Sequence, residues 1–120
     1  MYVIEFFPPM TGLENSFNTF RLGGAWAKRI SDGDRVLLLD KRRSETFAEA
    51  IVGEVVVGKL AELAAVHAKH NHNQKALDEQ GAPERLITAM MKRYGPNKCG
   101  ENSRCTVIYL KVCDEKNNLS

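Results

Sequence analysis

The stretch FAEAIVGEVVVGKLAELA, residues 47–64, decides how this chain must fold. From Phe47 to Val57 it is rich in β-branched and small apolar residues, a composition that fits a pleated, half-buried strand. Alternation would place Phe47, Glu49, Ile51, Gly53 and Val55 on one face. Gly53, in mid-strand, marks a bulge or a barrel corner. At Gly58 the period changes. Leu60, Leu63, Ala64 and His67 are spaced as one side of an amphipathic helix, which the pattern carries to about Asn73.

Upstream, residues 2–7 suggest a first strand, stopped by Pro8 and Pro9, because proline cannot donate to a ladder. Residues 10–16 read as a loop, and Phe17 to Arg21 as a short second strand. Gly23 and Gly24 break it. Ala25 to Ile30 forms one or two helical turns, Ser31 to Asp34 a turn, and Val36 to Leu39 a buried strand. Lys41 to Ser44 is then the tip of a hairpin that returns through Phe47.

Downstream, residues 75–82 form a polar connection. Pro83 stands at a first helical position with Glu84 in the first turn. Leu86, Ile87, Met90, Met91 and Tyr94 make a helical stripe, which Lys92, Arg93 and Gly95-Pro96 terminate. Cys105 to Cys113 is the closing strand. Strands come first, two helices are inserted late and one strand follows, without βαβ alternation. The expected class is therefore α+β, with a twisted sheet or barrel of about five or six strands, and not a doubly wound parallel sheet. Residues 1–113 are expected to form one domain and 114–120 a polar tail.

The 120 residues suit one hydrophobic core, and 43% apolar with 27% charged residues is ordinary globular composition. No apolar run approaches the ~20 residues of a membrane span, and Met1 to Phe7 has no basic leader, so neither a membrane partner nor a signal peptide is expected. Three cysteines, Cys99, Cys105 and Cys113, are an odd number, which fits a reduced, cytoplasmic setting. Net charge is only +2, so electrostatic binding would have to rest on clustering. Seven cations (Arg21, Lys28, Arg29, Arg35, Lys41, Arg42 and Arg43) do fall within 23 positions that hold only three acids, Asp32, Asp34 and Asp40.

The order of elements resembles the ASCH domain, a branch of the PUA-like β-barrels. Three pieces carry the resemblance: Thr19-Phe20-Arg21; Asp32-Gly33-Asp34-Arg35-Val36; and the strand from Phe47 to Val57 running into Lys59 to Ala64. It covers roughly residues 17–112. It implies a small barrel with a groove between sheet and helices, in which PUA-like domains commonly bind RNA. Some small single-domain members hydrolyse N4-acetylcytidine, with a lysine and a threonine in the first motif and a glutamate after the first long helix; others are ribonucleases. Here the threonine falls on Thr19 and the motif arginine on Arg21. The lysine position falls near Ser16 and the glutamate position near Asn71, and neither serine nor asparagine supplies the charge or basicity of that chemistry. Hydrolysis would need a substitute such as Glu14, Lys28 or Lys69.

The site expected from these residues is an RNA- or nucleotide-binding groove of Thr19, Arg21, Lys28, Arg29, His67, His70 and Asn71, with Lys41, Arg42 and Arg43 as a phosphate-contacting prong. In that groove Arg21 and the lysines would pair with phosphate, and Thr19 and Asn71 would hydrogen-bond a base or ribose. His67, His70 and His72 lack the carboxylate or cysteine that would complete a metal set, so no metal and no cofactor is assigned. Trp26 is assigned to packing, and catalytic residues are left unassigned. An enzyme with a rearranged site and a protein-interaction module remain the alternatives.

Overall fold

A computed structural model describes residues 1–113; the expected tail, 114–120, lies outside the described residues. The architecture is α+β. Five strands, β1 (Tyr2–Phe6), β2 (Ser16–Leu22), β3 (Arg35–Asp40), β4 (Glu45–Lys59) and β5 (Arg104–Val112), make one sheet in the order β1-β3-β4-β5-β2. All neighbours are antiparallel except β1 and β3, which run parallel with Tyr2 opposite Val36. The helices are α1 (Leu60–His67) and α2 (Ala82–Tyr94), and a 3₁₀ turn at Ala25–Lys28 links β2 to β3. No helix among the described residues is long and apolar enough to cross a membrane.

The sheet carries a core on each face. Ile4, Phe6, Phe17, Val36, Leu38 and Ile108 pack on one side. On the other, Phe20, Val107 and Cys105 pack under Leu60, Leu63, Leu86 and Met90 of the two helices. The alternation of β5 follows from this arrangement: Ile108 and Leu110 serve the first core, and Cys105 and Val107 the second. Trp26 is half-buried at the edge of the first core, its ring edge-on to Tyr2 at 6.0 Å.

Three features depart from the sequence pattern, the first being a register shift of β4 against Leu38 and Leu39, where Phe47 turns to the Phe6 ring of the first core at 6.1 Å. Register shifts between Val52 and Val55, a bulge at the Gly53 position, so Val55 joins Ala50 and Val52 on the first core rather than the Phe47–Gly53 face. The extra residue turns over every side chain beyond it. The first helix ends at His67, is extended by a 3₁₀ turn at Ala68–His70, and stops short of Asn73. The chain leaves it because the amide of His72 donates to the carbonyl of Asn18 at 3.1 Å, an edge bond to β2 that a continuing helix would forfeit.

The loop after β1 folds onto this same segment. Thr11 Oγ1 donates to Asn73 Oδ1 at 2.6 Å, and Gly12, at φ +69°, lies so close that a Cβ there would sit 1.8 Å from the carbonyl oxygen of His72. Gly33 also has positive φ, but with open space around it. Gly33→Ala should therefore cost only the ~1 kcal/mol of left-handed backbone, whereas Gly12→Ala adds a main-chain clash. Thermal unfolding should show Gly12→Ala melting several degrees below Gly33→Ala; equal melting would mean that the loop does not dock on His72.

Candidate functional site

β1 and β2 are the two edges of the sheet, and they face each other without pairing. Phe6 of β1 and Phe17 of β2 meet edge-on at 6.2 Å, and Arg21 of β2 reaches across to donate from Nη1 to the carbonyl of Glu5 at 2.7 Å. The seam opens into a cleft of about 440 Å³, within the usual range for small-ligand sites. β1 and its Phe7–Pro9 continuation form one wall and Thr19, Phe20 and Arg21 the other. Asn71 to Asn73 lie at one end, and α2 covers the top with Leu86, Met90, Arg93 and Tyr94.

Arg21 is the central charge. Its guanidinium carbon stands 4.8 Å from the centre of the Phe6 ring, and its Nε is buried without a hydrogen-bond partner. No carboxylate among the described residues forms an ion pair with it. Burial lowers its pKa to about 10, nearby Arg93 adding to the effect and Tyr94 and Glu5 opposing it, so it stays charged at neutral pH. Lys92 and Arg93 line the cleft with it against a single carboxylate, Glu5, and Glu5 is held by Lys41 at 3.0 Å. Among the described residues that line the cleft, three cations thus stand against one carboxylate. The Arg93 guanidinium lies 4.0 Å from the centre of the Phe7 ring, a flat cationic and aromatic surface at the rim.

Thr19 and Asn71 are both buried in the lining. The amide oxygen of Asn71 accepts from the main chain of Asn73 at 3.0 Å, and its Nδ2 lies 3.4 Å from the Asn18 carbonyl, a long contact that leaves donor capacity to spare. His72 is wedged between Phe6 and Phe17, with ring centres 5.4 and 5.8 Å away. Its Nδ1 stands 3.0 Å from the Thr11 carbonyl and must carry the proton there.

The structure brings together Thr19, Arg21 and Asn71 of the residues expected from sequence. The others lie elsewhere. Lys28 and Arg29 are exposed on the 3₁₀ turn, where Arg29 covers Trp26 at 5.2 Å, at the Tyr2 end of β1 rather than its Phe6 end. Arg42 and Arg43 are exposed in the β3–β4 turn, which Asp40 caps through their main-chain amides. Lys41 does not line the cleft but touches its wall, through Glu5 and through its amide on the Phe6 carbonyl. His67 and His70 gather on Tyr109 instead, with His67 Nδ1 2.6 Å from the Tyr109 hydroxyl. Burial lowers the pKa of His67, and nearby Glu54 opposes it. Ser16 is exposed, and Glu14, Lys28 and Lys69 are not among the cleft residues. Pattern reading missed Lys92, Arg93 and the role of His72. The signal for Arg93 was present: with Leu86, Ala89 and Met90 it lies at positions i, i+3, i+4 and i+7 of one helix face.

No family model matches the chain, and no curated protein matches it in sequence. Two solved structures share its fold. One is a protein from Enterococcus faecalis V583 described by the family model DUF984, with a TM-score of 0.59 at 13% identity over 87% of this chain. The other is an ASCH domain from Lactobacillus crispatus JV V101, with a TM-score of 0.53 at 9% identity over 84% of this chain. The chain spans 66% and 65% of their respective lengths. The fold is ASCH-like.

Burial lowers the pKa of His72 to about 4 from an ordinary 6.5, and the neighbouring positive charges of Arg21 and Lys75 push the same way against the Thr11 hydrogen bond. A base with a lowered folded pKa takes its proton first in the unfolded chain, so this contribution to stability is whole above pH 6.5 and is lost as pH falls towards 4. Titration of the His72 ring by NMR should give a midpoint near 4; a midpoint near 6.5 would put the ring in water rather than between Phe6 and Phe17.

Proposed function

We propose that the cleft binds a nucleotide, alone or as part of single-stranded RNA. The observation that carries it is the Arg21 guanidinium: a cation at the seam, paired with one main-chain carbonyl and no carboxylate, with a buried Nε–H left over. With no carboxylate beside it, the guanidinium keeps capacity for a charge-assisted bond to a phosphate oxygen in the cleft. The Phe7–Arg93 surface and Tyr94 suit stacking on a base. Thr19 and Asn71 offer hydrogen bonds to ribose or base. The ASCH-like fold supports the same direction by analogy, since PUA-like domains commonly bind RNA.

The lining has one carboxylate, Glu5, engaged by Lys41, and the motif positions expected to hold a lysine and a glutamate are Ser16 and Asn71. We therefore assign binding rather than hydrolysis. A longer RNA would leave the cleft past Glu5 and Lys41 towards Arg42 and Arg43, which would contact phosphate without reading sequence. The setting we assign is a reduced cytoplasm.

A fluorescent single-stranded RNA titrated at several salt concentrations should bind with log affinity falling against log salt, by about 0.7 per phosphate neutralised. Arg21→Gln should weaken binding at least tenfold with melting changed by only a few degrees. Should that variant unfold, Lys92→Ala/Arg93→Ala, both exposed on α2, should still weaken binding several-fold. No binding at low salt, or binding indifferent to Arg21 and Arg93, ends the proposal.

A further inference from the structure

The wall that β2 presents to the cleft includes a piece of main chain with nothing to bond. The Asn18 carbonyl accepts from His72 outside the ladder with β5, so the Asn18 main chain is turned away from β5. Arg21 and Gly23 are turned towards it: the Cys105 thiol reaches the Arg21 carbonyl at 3.1 Å, and the Gly23 amide donates to the Arg104 carbonyl at 2.8 Å. In an antiparallel pair this orientation alternates residue by residue. The N–H and C=O of Phe20 therefore point outward, as those of Asn18 do, and Phe20 lines the cleft. Cover from the Asn71–His72 segment ends at Asn18. Among the described residues, nothing bonds the outward N–H or C=O of Phe20.

On the facing wall, the Phe6 carbonyl accepts from the Lys41 amide at 2.9 Å and so faces β3, which leaves Glu5 facing the seam, where Arg21 has taken its carbonyl. The seam thus offers one donor and one acceptor side by side on β2, with apolar surface around them. With no partner among the described residues, these groups are left to solvent or to a ligand in the cleft. An added strand would need ~4.8 Å on either side and would displace the bridging guanidinium. A flat heterocycle needs neither.

We propose that the Phe20 main chain reads the hydrogen-bonding edge of a base, its N–H donating to a ring or carbonyl acceptor and its C=O accepting from the adjacent ring N–H or amino group. This rests on the nucleotide-binding proposal and adds the element that recognises the base. Single-stranded RNA bases offer such edges once they are splayed from the stack.

The test uses uridine 5′-monophosphate, its 3-methyl derivative and ribose 5-phosphate with the full chain, followed by amide NMR and calorimetry. Uridine monophosphate should shift the Phe20 amide strongly, and losing the N3–H donor should weaken binding at least tenfold, the cost of leaving one polar group unpaired. Equal binding by all three with Phe20 unmoved would overturn base reading while leaving anion binding by Arg21 intact. Equal binding by the two nucleotides, both tighter than ribose 5-phosphate, would make stacking and not edge recognition the source of affinity, and would also overturn it. If none of the three binds at millimolar concentration, the nucleotide proposal fails together with this one.

Discussion

The sheet does not pair its own ends, and the rest of the molecule is arranged around that fact. β1 and β2 are brought face to face by the curl of the strands between them, yet no ladder joins them. What joins them instead is side chain: the Arg21 guanidinium on the Glu5 carbonyl, Phe6 against Phe17, and His72 set between those two rings. A main-chain ladder would have used up the edge groups and filled the space. Side-chain bridging holds the walls together and leaves a cleft between them.

The helices make that cleft usable. The bulge of β4 near Gly53 lets a single fifteen-residue strand serve the first core with Ala50 and Val52 and reach the second with Val56. It then delivers the chain to α1 beneath the second core. The early end of α1 follows from the competition at Asn18: the edge of β2 bonds the amide of His72, and the chain there cannot be both helix and edge cover. The long connection to α2 brings Leu86 to Tyr94 back across the seam. Arg93 reaches the cleft because it lies two helical turns beyond Leu86, on the same face.

Much of the fold was legible in local pattern. Strand periodicity, the change of period at Gly58, and the proline and glycine that bound α2 are all near-neighbour effects, and they located the five strands and both helices. The bulge at Gly53 was legible for the same reason, although its effect on the facing of Val55 was not. The true end of α1 was out of reach, because it is decided by Asn18, some fifty residues earlier. The site was legible only where it is local. Thr19 and Arg21 sit two apart on one strand and face together. Asn71 came from resemblance. Lys28, Arg29, Arg42 and Arg43 looked like part of the same cluster because they are close in sequence, but a turn and a hairpin tip carry them to other parts of the surface. Density of charge along a chain is not density in space.

That distinction also separates the charges that hold the protein up from those free to act. Arg85 bonds Gln74 and Asp78, Arg35 bonds Glu49, and Lys75 bonds the main chain of Glu14; each is satisfied within the protein. Arg21 is not. Its Nη1 has the Glu5 carbonyl, but its Nε is buried with no partner, and burial lowers its pKa to about 10. An apolar side chain of similar size could pack on the Phe6 ring without that desolvation cost, but it could not bridge to the Glu5 carbonyl. The nucleotide phosphate proposed above would supply the negative charge that no carboxylate among the described residues brings to Arg21.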